Sequence, residues 1–281
     1  MPSLFKAKTN EGYTIKILAE LLQHNIKTAC FEIDNLGVKL RMMDSHRRIL
    51  IDICLDATNF PIYKCKFPEK KFIGLNLNHF HKMLRSIKKK DSLILFIDES
   101  HPNDLGIKVL PKETNRITTS YIKIQNIQNI AIDLPSGYDR PIIVSSSEYQ
   151  KMCKDMNNIG HTVEITSQEH HIKFLCNAGS VYSREVVFGE IEKDDESDNE
   201  EEELNSYSEH FSTEQLSRLI KLSGLSSRLK IFPKTDLPLL FKSNIGNLGY
   251  IDIYLKSKKD IEQDEFKNSS DLDDDNEKVS L

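Results

Sequence analysis

The sequence predicts an α+β protein of two similar domains, each with two helices on one side of an antiparallel sheet. Two observations carry that prediction, and a third bears on the partner. A helix–strand–turn–strand pattern recurs four times along the 281 residues. A loosely patterned stretch, 125–141, separates the recurrences into two pairs. Eighteen of the 43 acidic residues collect in two strings and leave the remainder of the chain basic.

The pattern is clearest between Ser147 and Cys176. Tyr149, Met152, Cys153, Met156 and Ile159 recur at three- and four-residue steps, so they share one helical face. Lys151 and Lys154 lie on another. TVEITS then alternates Val163 and Ile165 with polar neighbours, the polar turn Gln168–His171 follows, and HHIKFL alternates Ile172 with Phe174.

Taken in order, Gly12–Asn25 is the first helix, with Ile15, Leu18, Ala19 and Leu22 as its apolar stripe. Strands are expected at Thr28–Asp34 and Val38–Met43 around the turn Asn35–Gly37, then at Arg48–Leu55 and Ile62–Phe67. The second helix begins at Asn76 and runs through NLNHFHKMLRSIKKK, with Phe80, Met83, Leu84 and Ile87 inward and Asn76 or Asn78 as the cap. Strands Ser92–Asp98, Ile107–Leu110 and Thr119–Ile124 complete a domain of residues 1–124. Pro135, Gly137 and Pro141 mark 125–141 as an interdomain connector, although Ile130, Ile132 and Leu134 alternate and should lie against the body. The second domain, 142–259, holds the unit at Ser147, and a fourth helix over Ser212–Gly224 with Glu214 as capping chemistry and Leu216, Leu219, Ile220 and Ser223 inward. Its strands are Arg228–Phe232, Leu237–Lys242 and Tyr250–Leu255. The string 192–203 reads as a solvated acidic loop, and the tail 260–281 as disordered, because neither carries enough apolar residues to bury.

The net charge of −5 conceals a basic body. Segment Glu192–Glu203 has nine acids and one lysine, and 260–281 has nine acids and two lysines; without those strings, at −8 and −7, the remainder stands at +10. Such a partition points to a polyanionic partner. With 38% hydrophobic and 29% charged residues the composition is globular, and no apolar run approaches the ~18 residues a membrane span requires. The N-terminus MPSLFKAKTN lacks a signal-peptide core, which favours a nucleocytoplasmic site. Cys30, Cys54, Cys65, Cys153 and Cys176 form no CxxC pair and read as reduced structural thiols.

The helices share a charge pattern. Lys82 and Arg85, Lys151 and Lys154, and Arg218 and Lys221 are basic pairs three residues apart, away from the apolar stripes; the first helix contributes Lys16. On a common surface they form a basic track. Such a track binds phosphates without reading bases, and its affinity falls steeply with salt. No recognition helix, zinc finger or aromatic stacking platform is evident, so sequence-specific reading is not expected.

At this point the residues resemble a known family. LGVKLRMMDSHRRILIDICL (Leu36–Leu55) resembles the central signature of the eukaryotic and viral sliding clamps, the proliferating cell nuclear antigen (PCNA) family. GLNLNHFHKMLRSIKKKDSLILFID, SSEYQKMCKDMNNIGHTVEI and LPLLFKSNIGNLGYIDIYLKSK are similar to later segments in the family's order, so the likeness runs from about Leu4 to Lys258. It implies a DNA sliding clamp: a homotrimeric ring of duplicated domains, helices inside, that encircles double-stranded DNA, tethers DNA polymerase and other replication and repair proteins, and is placed by a clamp loader. The richness in isoleucine, lysine and asparagine fits an AT-rich genome, a large-DNA-virus member working in a nucleus or a cytoplasmic viral replication site, or an AT-rich protist. By resemblance Lys16, Lys82, Arg85, Arg116, Lys151, Lys154 and Lys221 fall at DNA-facing positions. Met43, Leu50, Ile132, Leu134, Pro238, Tyr254 and Leu255 match the pocket for partner peptides with a glutamine-plus-aromatic motif; the anchors of such peptides suit a shallow apolar patch. The resemblance also implies that a strand near Arg116–Lys123 pairs with one near Ser180–Phe188 of the next subunit, which would explain why SVYSREVVF has no obvious partner within the chain.

Three departures stand out. His46–Arg47–Arg48 is more basic than usual, so the pocket rim is expected to prefer more acidic partners. Lys256 replaces a small residue beside the pocket. Glu169 stands at the family's ubiquitin-acceptor lysine, which argues against modification there.

Enzymatic chemistry is not expected. GxSxG, HExxH, GxxxxGK[ST] and GxGxxG are all missing from the sequence. His79 and His81 are two apart on a helix and diverge, no metal or cofactor site is expected, and a nuclease would need a carboxylate cluster in the body. The alternative reading is a non-ring polymerase accessory factor or one subunit of a checkpoint-type heterotrimeric clamp.

Overall fold

A computed structural model describes residues 3–113, 115–168, 170–189 and 207–266. The N-terminal half runs β1 (Ser3–Thr9), α1 (Gly12–Asn25), β2 (Thr28–Ile33), β3 (Gly37–Met43), β4 (Ile49–Asp56), β5 (Ile62–Cys65), β6 (Lys71–Asn76), α2 (Leu77–Leu84), β7 (Ser92–Asp98), β8 (Asp104–Leu110) and β9 (Thr118–Lys123). The C-terminal half runs β10 (Ile142–Ser145), α3 (Ser146–Asn157), β11 (Thr162–Gln168), β12 (His171–Ala178), β13 (Tyr182–Gly189), β14 (Tyr207–Ser212), α4 (Thr213–Ser217), a 3-10 turn (Ile220–Gly224), β15 (Arg228–Phe232), β16 (Leu239–Ile245) and β17 (Gly249–Leu255).

The strands form antiparallel sheets in the orders β5-β1-β7-β8-β9, β13-β12-β11-β14 and β10-β15-β16-β17-β4-β3-β2-β6. The last sheet belongs to both halves: β4 lies against β17, with Ile51 opposite Ile253 and Ile53 opposite Ile251. One buried core runs through both domains, from Phe5 and Leu22 to Phe174 and Leu229. Edge strands β9 and β13 belong to different domains.

The helices make one row. Lys16 Nζ on α1 donates to the carbonyls of Arg85 and Ile87 at 2.8 and 3.1 Å, closing the end of α2. Lys221 in the 3-10 turn pairs with Glu20 on α1 at 2.7 Å. Gln150 on α3 donates to the Ile220 carbonyl at 3.3 Å. The neighbours of α1 explain why its buried face is wider than the predicted stripe: Ile17 and Leu21 are buried too, and a Cβ on Gly224 would lie 2.9 Å from Ile17 Cγ2.

Several expectations change. The second helix stops at Leu84 rather than running through the lysines, although Ile87 is still buried. Asn76, not Asn78, caps it, accepting from the His79 amide at 3.0 Å. The fourth helix is broken. Leu216 and Leu219 point inward as expected and Ile220 packs against the core, but Leu222 and Leu225 are buried where Ser223 was expected, because the tighter 3-10 winding rotates the face. Ser212 makes no side-chain cap bond there, and the Thr213 hydroxyl donates instead to the Gly160 carbonyl at 2.7 Å. SVYSREVVF does have a partner within the chain: β13 pairs with β12 from His171–Gly189 to Ala178–Tyr182, and among the described residues no strand pairs with its other edge. The disorder expected from residue 260 does not start there, since 258–266 is helical. The acidic loop 192–203, the tail beyond 266 and Glu169 lie outside the described residues.

Candidate nucleic-acid interface and partner pocket

The expected cations fall into two kinds. Lys82 and Arg85 sit at the end of α2, Lys154 on α3 and Arg116 just before β9; all four are exposed, and among the described residues none is in an ion pair. Lys151 is exposed with a one-turn pair to Glu148 at 2.8 Å, a link that solvent and salt weaken easily. Lys16, Arg218 and Lys221 are committed elsewhere: Lys16 to α2 carbonyls and the Tyr13 ring, Arg218 to Glu214 at 2.6 Å, Lys221 to Glu20. Burial pushes the Glu20 carboxyl up, but the hydrogen-bonded Lys221 ammonium outweighs it and the net shift is downward. The row thus brings the predicted helices together while leaving their cations unequally free. Lys88 and Lys89, exposed just after α2, were missed; the KKK run was their signal. His81 is pushed down, first by burial and then by Arg85, His24 and Lys16 against the pull of Glu20, so it carries less charge at neutral pH than an ordinary histidine.

On the shared sheet, Leu50, Leu240 and Tyr254 form a small apolar cluster apart from the main core, packed by Met43, Ile132, Leu134, Tyr138 and Phe232. Five of the seven predicted pocket residues therefore meet. Pro238 supplies a carbonyl, which accepts from Tyr138 Oη at 2.7 Å. Leu255 is not in this cluster: strand neighbours point to opposite faces, so with Tyr254 outward Leu255 is fully buried in the main core. The same alternation could have found Leu240, two residues after Pro238. Tyr138 was missed because the connector has no period; its ring lies 6.2 Å from Phe232 and 6.1 Å from Tyr254, pinning the connector down. Burial, then Asp252 and Asp52, push the Tyr254 hydroxyl up to about 12.

Beneath the connector the sheet is charged. Asp52 and Asp252 are buried directly opposite one another, each with its own cation: Arg41 Nε to Asp52 and Lys242 Nζ to Asp252, both at 2.7 Å. Burial raises the Asp252 carboxyl, and Lys242 offsets this only partly. Arg41 also donates to the Ile132 carbonyl at 3.2 Å, so the same guanidinium that neutralises the sheet holds the connector.

Among the described residues no cluster of three or more His, Cys, Asp or Glu is arranged to hold a metal ion, and no helix is long and apolar enough to cross a membrane. All five cysteines are free thiols, with Cys30, Cys153 and Cys176 buried.

Comparison with known proteins agrees with this architecture. The family models "Proliferating cell nuclear antigen, N-terminal domain" and "C-terminal domain" match residues 4–133 and 134–258. A relative from Paramecium bursaria Chlorella virus 1, named "Probable DNA polymerase sliding clamp 1", is 25% identical over 253 residues, 88% of this chain and 94% of its own. The proliferating cell nuclear antigen of Chaetomium thermophilum is 26% identical over 260 residues, 91% of this chain and 98% of its own. The crystal structure of the Entamoeba histolytica antigen shares the fold with a TM-score of 0.77 at 20% identity, covering 91% of this chain and 99% of that one. With two consecutive family domains spanning residues 4–258 on a matching fold, this chain belongs to the proliferating cell nuclear antigen family, the DNA sliding clamps that serve as non-catalytic polymerase processivity factors.

Proposed function

We propose that three copies of the chain close head to tail, the open edge of β9 pairing with the open edge of β13 in the next copy, so that the helix row faces an enclosed DNA duplex. The observation that carries this reading is the pair of sheet edges, in different domains, that have no further strand among the described residues, each with exposed apolar residues: Ile117 and Tyr121 at one, Val181 and Tyr182 at the other. An open edge bearing such residues invites another strand, and two different edges on one chain make a heterologous contact that can close into a ring. Inside it, Lys82, Arg85, Arg116, Lys151 and Lys154 hold phosphates without fixing register, which permits sliding.

The cluster around Leu50, Leu240 and Tyr254 is the docking point for partner peptides with a glutamine-plus-aromatic motif, the replicative polymerase among them, and a clamp loader opens and places the ring. The protein acts without catalysis, at a nuclear or viral replication site.

Light scattering after gel filtration tests the ring. A mass near three times 32.4 kDa that holds on dilution is the expected result. A monomer at micromolar concentration sinks the ring and leaves a non-ring accessory factor or a heterotrimer subunit.

A further inference from the structure

The family match ends at residue 258, where this chain starts another helix, 258–266. Its start is well made. The Ser257 amide donates to Asp260 Oδ2 at 3.1 Å, and the Asp260 amide donates back to Ser257 Oγ at 3.2 Å, a reciprocal cap on a buried serine. Lys258 reaches Thr162 Oγ1. The acidic turn then lies on two basic residues: Lys256 Nζ donates to Asp264 Oδ2 at 2.5 Å, and Arg48 Nη2 to Glu265 Oε1 at 3.2 Å.

Beside these pairs is an open groove of about 790 Å³, walled by the Met43–Arg47 turn, the connector at 128–132 and the helix through Ile261, Asp264 and Glu265. The turn is fixed: Asp44 Oδ1 accepts from the Arg48 and Ile49 amides at 2.6 and 3.0 Å, and Arg47 takes a positive φ of 53°. It presents His46 and Arg47, both exposed, next to half-buried Met43 and exposed Ile130. Met43 also belongs to the apolar cluster proposed to take partner peptides, so groove and cluster are continuous.

We propose that the helix 258–266 is an internal occupant of the basic end of the peptide site, and that partners which displace it carry carboxylates flanking their aromatic anchor. This rests on the pocket reading above. Asp264 and Glu265 stand where a partner's acids would stand, on Lys256 and Arg48. The hold is weak enough to be exchanged, because the Arg48–Glu265 pair is solvent-exposed and the Lys256–Asp264 pair is only half-buried, so each contributes at most a few-fold. The helix 258–266 therefore filters partners by charge. An acidic-flanked peptide replaces the ion pairs it breaks, while a neutral one leaves the helix in place.

The test uses two synthetic peptides bearing the glutamine-plus-aromatic motif, one flanked by three glutamates and its twin by three glutamines, titrated by calorimetry into the full chain. In the Asp264→Asn/Glu265→Gln variant the glutamate peptide should bind about fivefold tighter and the glutamine peptide within twofold of wild type. In Arg48→Ala/Lys256→Ala the preference for glutamate should disappear. Hydrogen exchange of residues 258–266 in the wild-type chain should rise on saturation with the glutamate peptide. Equal gains for both peptides, no gain, or unchanged exchange would overturn the proposal. If neither peptide binds the wild type or either variant, the pocket reading itself fails and the proposal falls with it. Where the peptides do bind the wild type, loss of both in the cluster variant Leu240→Ala shows that the pocket reading stands, so that a missing charge preference then overturns this proposal alone.

Discussion

The second helix of each domain begins from similar sequence and ends in a different structure. In the N-terminal domain α2 is capped by Asn76, runs two turns, and leaves Lys82 and Arg85 exposed and in no ion pair among the described residues. In the C-terminal domain α4 has no side-chain cap, lasts five residues, ends at Arg218, which is tied to Glu214, and gives way to a 3-10 turn whose Lys221 is tied to Glu20. The basic pairs look alike in sequence, yet one faces solvent and the other binds the molecule to itself. A charge pattern thus locates a surface, while the acids nearby decide how much of it is available to a polyanion.

The largest effect should come from the free side. Replacing Lys82, Arg85 and Lys154 together with alanine should lower the slope of log affinity for duplex DNA against log salt by about three and remove most polymerase stimulation, with thermal unfolding little changed. An unaltered slope would overturn the comparison. The committed side should respond in the other observable. Lys221→Met leaves Glu20 without its partner between α1 and the 3-10 turn, and denaturant titration should register a loss of about 1 kcal/mol with the salt slope unaltered. That loss should depend on pH. The native Glu20 carboxyl is depressed, so its contribution is complete above the ordinary glutamate range and fades as pH falls through the native value. Glu20→Gln should flatten that acid limb, which stability measured across pH will reveal. The caps sharpen the contrast further: Asn76→Ala should cost about 1 kcal/mol, whereas Ser212→Ala, with no cap bond to lose, should stay within about 0.5. Smallest of all, Arg218→Ala breaks an exposed pair one turn long and should cost a few tenths of a kcal/mol in thermal unfolding.

Periodicity made much of the fold readable. Tyr149, Met152, Cys153 and Met156 lie inward as their spacing required, and strands such as Ser92–Asp98 and Arg228–Phe232 have the expected bounds. The strands that escaped notice are short or carry weak alternation. β10 has four residues, β6 includes Gly74, and β1 alternates through the small Ala7. Gly74 has its own reason: the connector crosses it so closely that a Cβ would lie 2.4 Å from the Gln125 carbonyl oxygen. Helix breakage at Arg218 was illegible, because LSRLIKLSG satisfies the α period until tertiary packing imposes a tighter one. At the site, resemblance supplied the residue set but not the facing. Tyr254 and Leu255 cannot share a side of β17, a fact present in the sequence from the start. The partners of Lys16 and Lys221 lie 69 residues or more away in the chain, beyond the reach of local pattern.

The pairing of β4 with β17 bears on how the protein is made. Synthesis reaches Asp56 long before Gly249 exists, so the nascent N-terminal half leaves the ribosome with a bare strand edge bearing Ile51 and Ile53. That edge is adhesive for other chains until the closing strand arrives. Completion of the first domain is therefore timed by translation of the last, and a message cut short before residue 249 yields not half a working protein but an aggregation seed.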